Sequence, residues 1–180
     1  MTEIAINTLA FHGYPLDTAL VEIARLGEYV EPVYISKCDP AIREEYFTGK
    51  NAQLLLKRLE ELRLKVTSMA SHMDLGQADS VDVFKRRMDF AKAIGARMIL
   101  TNATRKPRQE TFYSNISKLA SHAEKLDLII ALENPGDGQD QLLGTGTEGI
   151  AVLDKVGSNR IRLNYDFSNV FTYSKGTKRP

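Results

Sequence analysis

The sequence has one cysteine and almost no imbalance of charge. A single cysteine, Cys38, excludes an intramolecular disulfide framework. With 24 Lys and Arg against 23 Asp and Glu, the formal net charge is +1, so no general field attracts nucleic acid or an anionic membrane. We therefore expect neither as a partner.

Long apolar runs are also missing. No run approaches the roughly 20 residues that span a bilayer. The segment Met1-Thr2-Glu3-Ile4 carries a charge at once and lacks the basic-then-apolar layout of a signal peptide. We expect a soluble cytoplasmic protein.

What the sequence contains is an alternation of short β-branched apolar runs with amphipathic segments, repeating about every thirty residues. The amphipathic segments predict helices near 19–26, 51–64, 81–94, 109–125 and 150–156. In the helix predicted at 51–64 we expect the core to be faced by Leu54, Leu55, Leu59 and Leu62. In the helix predicted at 109–125 the inner residues are Phe112, Ile116, Leu119 and Ala123. The apolar runs predict strands at 4–9, 29–35, 65–70, 97–101, 128–132 and 161–165.

Strand and helix in alternation imply a parallel sheet with right-handed crossovers. Two architectures have this pattern, the doubly wound open sheet and the (β/α)₈ barrel. An open nucleotide-binding sheet should have a glycine-rich fingerprint after its first strand, and His12-Gly13-Tyr14-Pro15 is not one. Carboxylates at the ends of several strands favour the barrel, as a single domain over residues 1–180.

The length conflicts with a complete barrel. Such a fold needs about 250 residues, and this sequence ends at Pro180, where the sixth helix should begin. We expect a truncated barrel of about six β/α units. The alternative is that a second copy of the chain, in a homo-oligomer, covers the exposed edge strands.

Two carboxylates follow predicted strands. Glu133 comes directly after the buried run 128–132 and precedes Asn134-Pro135-Gly136, and Asp166 follows 161–165. Neighbouring strands lie about 4.8 Å apart, so both side chains could reach one cation. The alternatives are a structural ion pair for Glu133 and a helix cap for Asp166.

The pattern resembles the sugar phosphate isomerase/epimerase family, the xylose-isomerase-like TIM barrels. The resemblance runs from Asn7-Thr8-Leu9 to Asp166 and Asn169, and its most specific part is Leu132-Glu133-Asn134-Pro135-Gly136. In that family a Glu on strand five, an Asp on strand six, a His on strand seven and a Glu on strand eight hold a divalent metal. Carried over, Glu133 and Asp166 are the first two ligands, and the other two have no counterpart.

The resemblance also implies a chemistry. Such sites use Mn²⁺ or Mg²⁺, with Co²⁺ or Zn²⁺ possible, and move a proton next to a sugar carbonyl through an enediolate. Glu133 would be both ligand and catalytic acid/base, acting on a sugar or sugar phosphate. Asn169 matches a position where relatives often carry His or Asn in contact with substrate.

Further candidates for substrate contact stand at the ends of other predicted strands. His72 follows strand three, Asn102 ends strand four, and His12 and Tyr14 follow strand one. For His72, a hydrogen bond to the backbone is an equal alternative. The basic loop with Arg105, Lys106 and Arg108 could hold a phosphate or could simply be solvated.

Two other functions compete with the isomerase. One is an inactive truncated barrel. The other is a hydrolase resembling the apurinic-site endonucleases, whose trinuclear zinc site needs several histidines, where this chain has 3 in all. Hydroxypyruvate isomerases and inosose dehydratases share the ligand geometry of the sugar epimerases, so the sequence does not separate them.

Overall fold

The structure is a computed structural model that describes residues 3–35, 42–136 and 140–173, without the side chains of 172 and 173. Within these ranges the chain alternates parallel strands with six α-helices. The strands are β1 (Ile6–Asn7), β2 (Tyr29–Glu31), β3 (Lys65–Val66), β4 (Ser68–Ala70), β5 (Met98–Asn102), β6 (Ile129–Glu133) and β7 (Ile161–Asn164). The helices are α1 (Leu16–Leu26), α2 (Gly49–Glu61), α3 (Ser80–Ala93), α4 (Gln109–Leu126), α5 (Gly146–Val156) and α6 (Phe167–Tyr173).

Local sequence explains the helix limits. The side chains of Thr48 and Thr145 cap α2 and α5 by accepting hydrogen bonds from the backbone N–H three residues on. Gly157 ends α5 in the left-handed conformation, with φ of 63°. Gly27 ends α1 at the predicted position but is extended there. No helix in the described ranges has the length and apolarity to cross a bilayer.

The chain divides into two compact units, and the first comprises residues 1–71 and 86–99. Its strands β1, β2 and β3 form a parallel sheet in that order, with Ile6 opposite Val30 and Tyr29 opposite Lys65. A parallel bridge between Val33 and Ala70 brings β4 alongside the extension of β2. The predicted third strand is therefore two short strands, interrupted at residue 67.

The second unit comprises residues 72–85 and 100–180. Strands β5, β6 and β7 lie side by side in that order. Strand β6 pairs with β7 in parallel, from Ile130 opposite Ile161 to Glu133 opposite Asn164. The centre of β6 is buried, as the apolar run predicts. Helix α4 covers its predicted limits and buries the predicted face of Phe112, Ile116, Leu119 and Ala123.

Candidate active site

Glu133 is the last residue of β6. The apolar run ends there because Pro135 has no N–H to continue a sheet ladder. The Glu133 side chain is only 16% exposed, so polar groups of the protein must replace much of the water around its carboxylate.

Two amides and an imidazole surround this carboxylate. Asn164, directly opposite on β7, donates from Nδ2 to Glu133 Oε2 at 2.8 Å. Asn169 on α6 donates from Nδ2 to Glu133 Oε1 at 3.2 Å. His72 Nε2 lies 3.8 Å from Glu133 Oε2. Three predicted site residues therefore meet around one carboxylate: Glu133, His72 and Asn169.

His72 is held on its other side by Asn102. The Nδ1 atom of His72 lies 2.6 Å from Oδ1 of Asn102, the last residue of β5. The hydroxyl of the preceding residue, Thr101, accepts from Met73 N at 3.2 Å and fixes the loop that carries His72. Asn102 thus contacts the imidazole, and its predicted contact with substrate stays a prediction.

Asp166 lies two residues beyond β7 and caps α6. Its Oδ1 accepts from the backbone N–H of Asn169 at 2.9 Å. Its own N–H donates to Asn134 Oδ1 at 2.8 Å, and its carbonyl accepts from Asn134 Nδ2 at 2.9 Å. The fully buried Asn134 therefore joins the carboxyl ends of β6 and β7. One carboxylate oxygen of Asp166 therefore acts as the helix cap that was the alternative to metal binding.

The donor types of this site fit a divalent cation. Asn169 contacts both carboxylates, through its side chain to Glu133 and through its backbone to Asp166. Mg²⁺ is commonly held by one or two carboxylates and keeps several waters. In the ranges that the structure describes, no three or more His, Cys, Asp or Glu side chains group to hold a metal. A divalent cation held here would take Glu133 and Asp166 as protein ligands and keep several waters.

The loops after β4 and β5 are joined by an ion pair between Asp74 and Arg108. Burial opposes ionisation of Asp74, but polar contacts with Thr104, Gly76 N and Arg108, and the positive charge of Arg108, outweigh it and hold the pKa of Asp74 below its usual value. Lys106 pairs with Glu148 at 3.2 Å. Two cations of the basic loop, Lys106 and Arg108, are thus already paired with carboxylates.

His12 and Tyr14 belong to the first unit, just after a 3-10 turn that follows β1. Both side chains are exposed. Their assignment to substrate binding stays a prediction.

Sequence reasoning missed Asn134 and Asn164. Asn134 is part of the most specific motif, but the motif alone does not reveal that its amide bonds the backbone of Asp166. Asn164 had a usable signal, because it precedes Asp166 by two residues and alternation in a strand places i and i+2 on one face. A parallel pairing of β6 with β7 then puts it beside Glu133.

Parallel strands with intervening helices and acidic groups near the strand ends are features of the β/α-barrel class of fold. A family model described as the xylose isomerase-like TIM barrel matches residues 21–179. The chain belongs to this family, and its fold corresponds to part of such a barrel, as predicted.

Solved structures show the same fold. An L-ribulose 3-epimerase is 20% identical, with a TM-score of 0.72 over 94% of this chain and 62% of its own. A probable 3-DHS dehydratase from Bacillus anthracis is 14% identical, with a TM-score of 0.72 over 96% and 66%. A xylose isomerase-like TIM barrel protein from Mycobacterium smegmatis, in complex with magnesium, is 16% identical, with a TM-score of 0.70 over 93% and 65%.

The chain thus spans about three fifths of the length of these structures. No curated protein sequence matches it significantly.

Proposed function

We propose that this chain carries part of the active site of a metal-dependent sugar or sugar-phosphate isomerase or epimerase. The observation that carries the proposal is the environment of Glu133, a largely buried carboxylate at the end of a parallel strand with Asn164, Asn169 and His72 around it. Catalytic groups of β/α barrels gather at such carboxyl ends. The L-ribulose 3-epimerase among the structural neighbours supports a sugar as the small-molecule substrate.

In this proposal Glu133 moves the proton. Its carboxylate removes a proton from the carbon beside the sugar carbonyl; in an isomerisation it returns that proton to the adjacent carbon, and in an epimerisation a second acid/base on the opposite face would supply the proton. The low exposure of Glu133 limits competing proton exchange with water. We propose that His72 contacts a substrate hydroxyl beside Glu133, and the 3.8 Å between its Nε2 and Glu133 Oε2 supports this.

A divalent cation, Mn²⁺ or Mg²⁺ before Co²⁺ or Zn²⁺, would be held by Glu133 and Asp166. When bound, it supplies positive charge that stabilises the enediolate oxygens. The magnesium complex of a structural neighbour supports this choice.

The test is ketose epimerisation by the full-length protein, followed with and without a chelator and added Mn²⁺. We expect Glu133→Gln to abolish turnover and Asp166→Asn to raise the Mn²⁺ concentration required. The matched control is Glu124→Gln, because Glu124 is an exposed carboxylate on α4 that pairs with Arg160.

Three outcomes would contradict the proposal. Full activity in the double variant Glu133→Gln, Asp166→Asn would remove both residues from the mechanism. Incision of abasic DNA without ketose turnover would favour the hydrolase alternative. A folded full-length protein with neither activity would favour the inactive barrel.

A further inference from the structure

We propose that Asn164 and Asn169 are positioning residues that hold the Glu133 carboxylate in one orientation. We call this pair the amide clamp. It rests on the proposed role of Glu133 as catalytic base. Each amide takes one oxygen, Asn164 Nδ2 donating to Oε2 at 2.8 Å and Asn169 Nδ2 to Oε1 at 3.2 Å. Asn169 is thereby assigned to Glu133 in place of a direct substrate contact.

The strand pairing sets the first arm of the clamp. Asn164 stands directly opposite Glu133 in the parallel register of β6 and β7. A slip of one residue would turn its side chain to the other face of the sheet. The backbone ladder therefore fixes where the Asn164 amide meets the carboxylate.

A second set of contacts fixes the other arm. Asn169 Nδ2 also donates to the carbonyl of Asn134 at 2.9 Å. Both partners of Asn169 Nδ2, Glu133 Oε1 and the Asn134 carbonyl, are acceptors. Rotating the amide by 180° would therefore bring its own oxygen close to these two oxygens, which cannot donate. The backbone N–H of Asn169 is held by Asp166 Oδ1.

Gly136 makes room for Asn169. A Cβ atom at position 136 would lie 2.6 Å from Asn169 Oδ1 and 3.3 Å from its Cα. That approach is too short for a carbon atom, and the Cα cannot move without moving α6. We infer that a side chain at 136 would displace Asn169 from Glu133.

The donors of the clamp are uncharged amides, and this determines how they affect the Glu133 carboxylate. A carboxylate oxygen has two lone pairs, and each amide of the clamp donates to only one oxygen of Glu133. The amides are uncharged and orient the carboxylate without cancelling its charge. Fixed orientation of this kind is what a catalytic constellation requires.

The first test follows the side-chain amides of the clamp by NMR, with neither metal nor substrate present. In the ¹⁵N-labelled full-length protein, Glu133→Gln removes the negative charge from both acceptors. We expect the side-chain amide resonances of Asn164 and Asn169 to shift. Those of Asn115, which bonds Leu75 O, Gln77 O and Ser80 Oγ, should stay unchanged. Unmoved Asn164 and Asn169 resonances would overturn the clamp.

The second test measures Mn²⁺ affinity. Loss of a group that orients a metal ligand typically costs about 10- to 100-fold, so we expect that loss in Asn164→Ala. Gly136→Ala should give a similar loss, because it displaces Asn169 without changing either clamp residue, and Asn115→Ala should give none. Circular dichroism confirms that each variant is folded.

The two tests separate the possible failures. Wild-type affinity in both Asn164→Ala and Gly136→Ala would overturn the clamp while leaving the proposed function intact. Absence of Mn²⁺ binding in the wild type would contradict the metal proposal, and the amide resonances would still decide the clamp.

Discussion

Glu133 shows how a buried carboxylate is stabilised at the scale of single residues. The sequence predicts that a bound cation or a structural ion pair stabilises this charge. The structure places two asparagine amides on its oxygens and an imidazole at 3.8 Å. Hydrogen bonds to an ionised carboxylate favour the charged form, so neutral donors can partly fill that role. Residue type alone could not reveal this, because the donors come from β7 and α6.

The ion pair of Asp74 with Arg108 should make the stability of the protein depend on pH. Because the pKa of Asp74 is lowered in the folded protein, its stabilising contribution is present above its unfolded pKa and is lost as pH falls through the folded value. We expect Asp74→Asn to lower the free energy of unfolding at pH 7 by about 1 kcal/mol, a modest figure because both side chains of the pair are partly exposed. The variant should also lose less stability on acidification below about pH 4.

Urea unfolding at pH 7 and at pH 3 measures this prediction. The control is Asp17→Asn. The pair of Asp17 with Arg58 is more exposed, so its loss should lower the free energy of unfolding less, and that effect should disappear in high salt. An Asp74→Asn protein with wild-type stability at pH 7 and the wild-type acid dependence would contradict the expectation.

For the secondary-structure elements, the periodicity of the sequence predicted where the helices lie more accurately than which helix face is buried. Helix α4 has its predicted limits and face because Phe112, Ile116, Leu119 and Ala123 keep the spacing of one stripe. In α2, Leu54 is 58% exposed although the pattern placed it inside, while Leu55 and Leu59 are buried. Adjacent leucines lie about 100° apart around a helix, and the sequence does not say which of them faces the core.

The loop after β4 carries an element-scale prediction. A Cβ atom on Gly76 would lie 2.9 Å from Cβ of both Thr104 and Arg108, and neither atom is the movable end of a side chain. We expect Gly76→Ala to cost about 1–3 kcal/mol. Gly49→Ala, at the start of α2, meets no atom within 4 Å and should be neutral or slightly stabilising. Equal urea midpoints for the Gly76→Ala and Gly49→Ala variants would contradict this packing.

At the scale of the whole molecule, the strand–helix repeat predicted the barrel family, which the match over residues 21–179 confirms. The paired ends of β6 and β7 were also predictable, since consecutive parallel strands bring their carboxyl ends to one edge. The sequence analysis missed the roles of Asn134 and Asn164. Their amides bond partners 32 and 31 residues away along the chain.

Removal of a carbon-bound proton by Glu133 is the central step of the proposed reaction. The most direct measurement is incorporation of deuterium from D₂O into a ketose next to its carbonyl, followed by proton NMR with the full-length protein and Mn²⁺. We predict incorporation with the wild type and with Glu124→Gln, and none above background with Glu133→Gln. Incorporation by Glu133→Gln at the wild-type rate would contradict the assignment of Glu133 as the base.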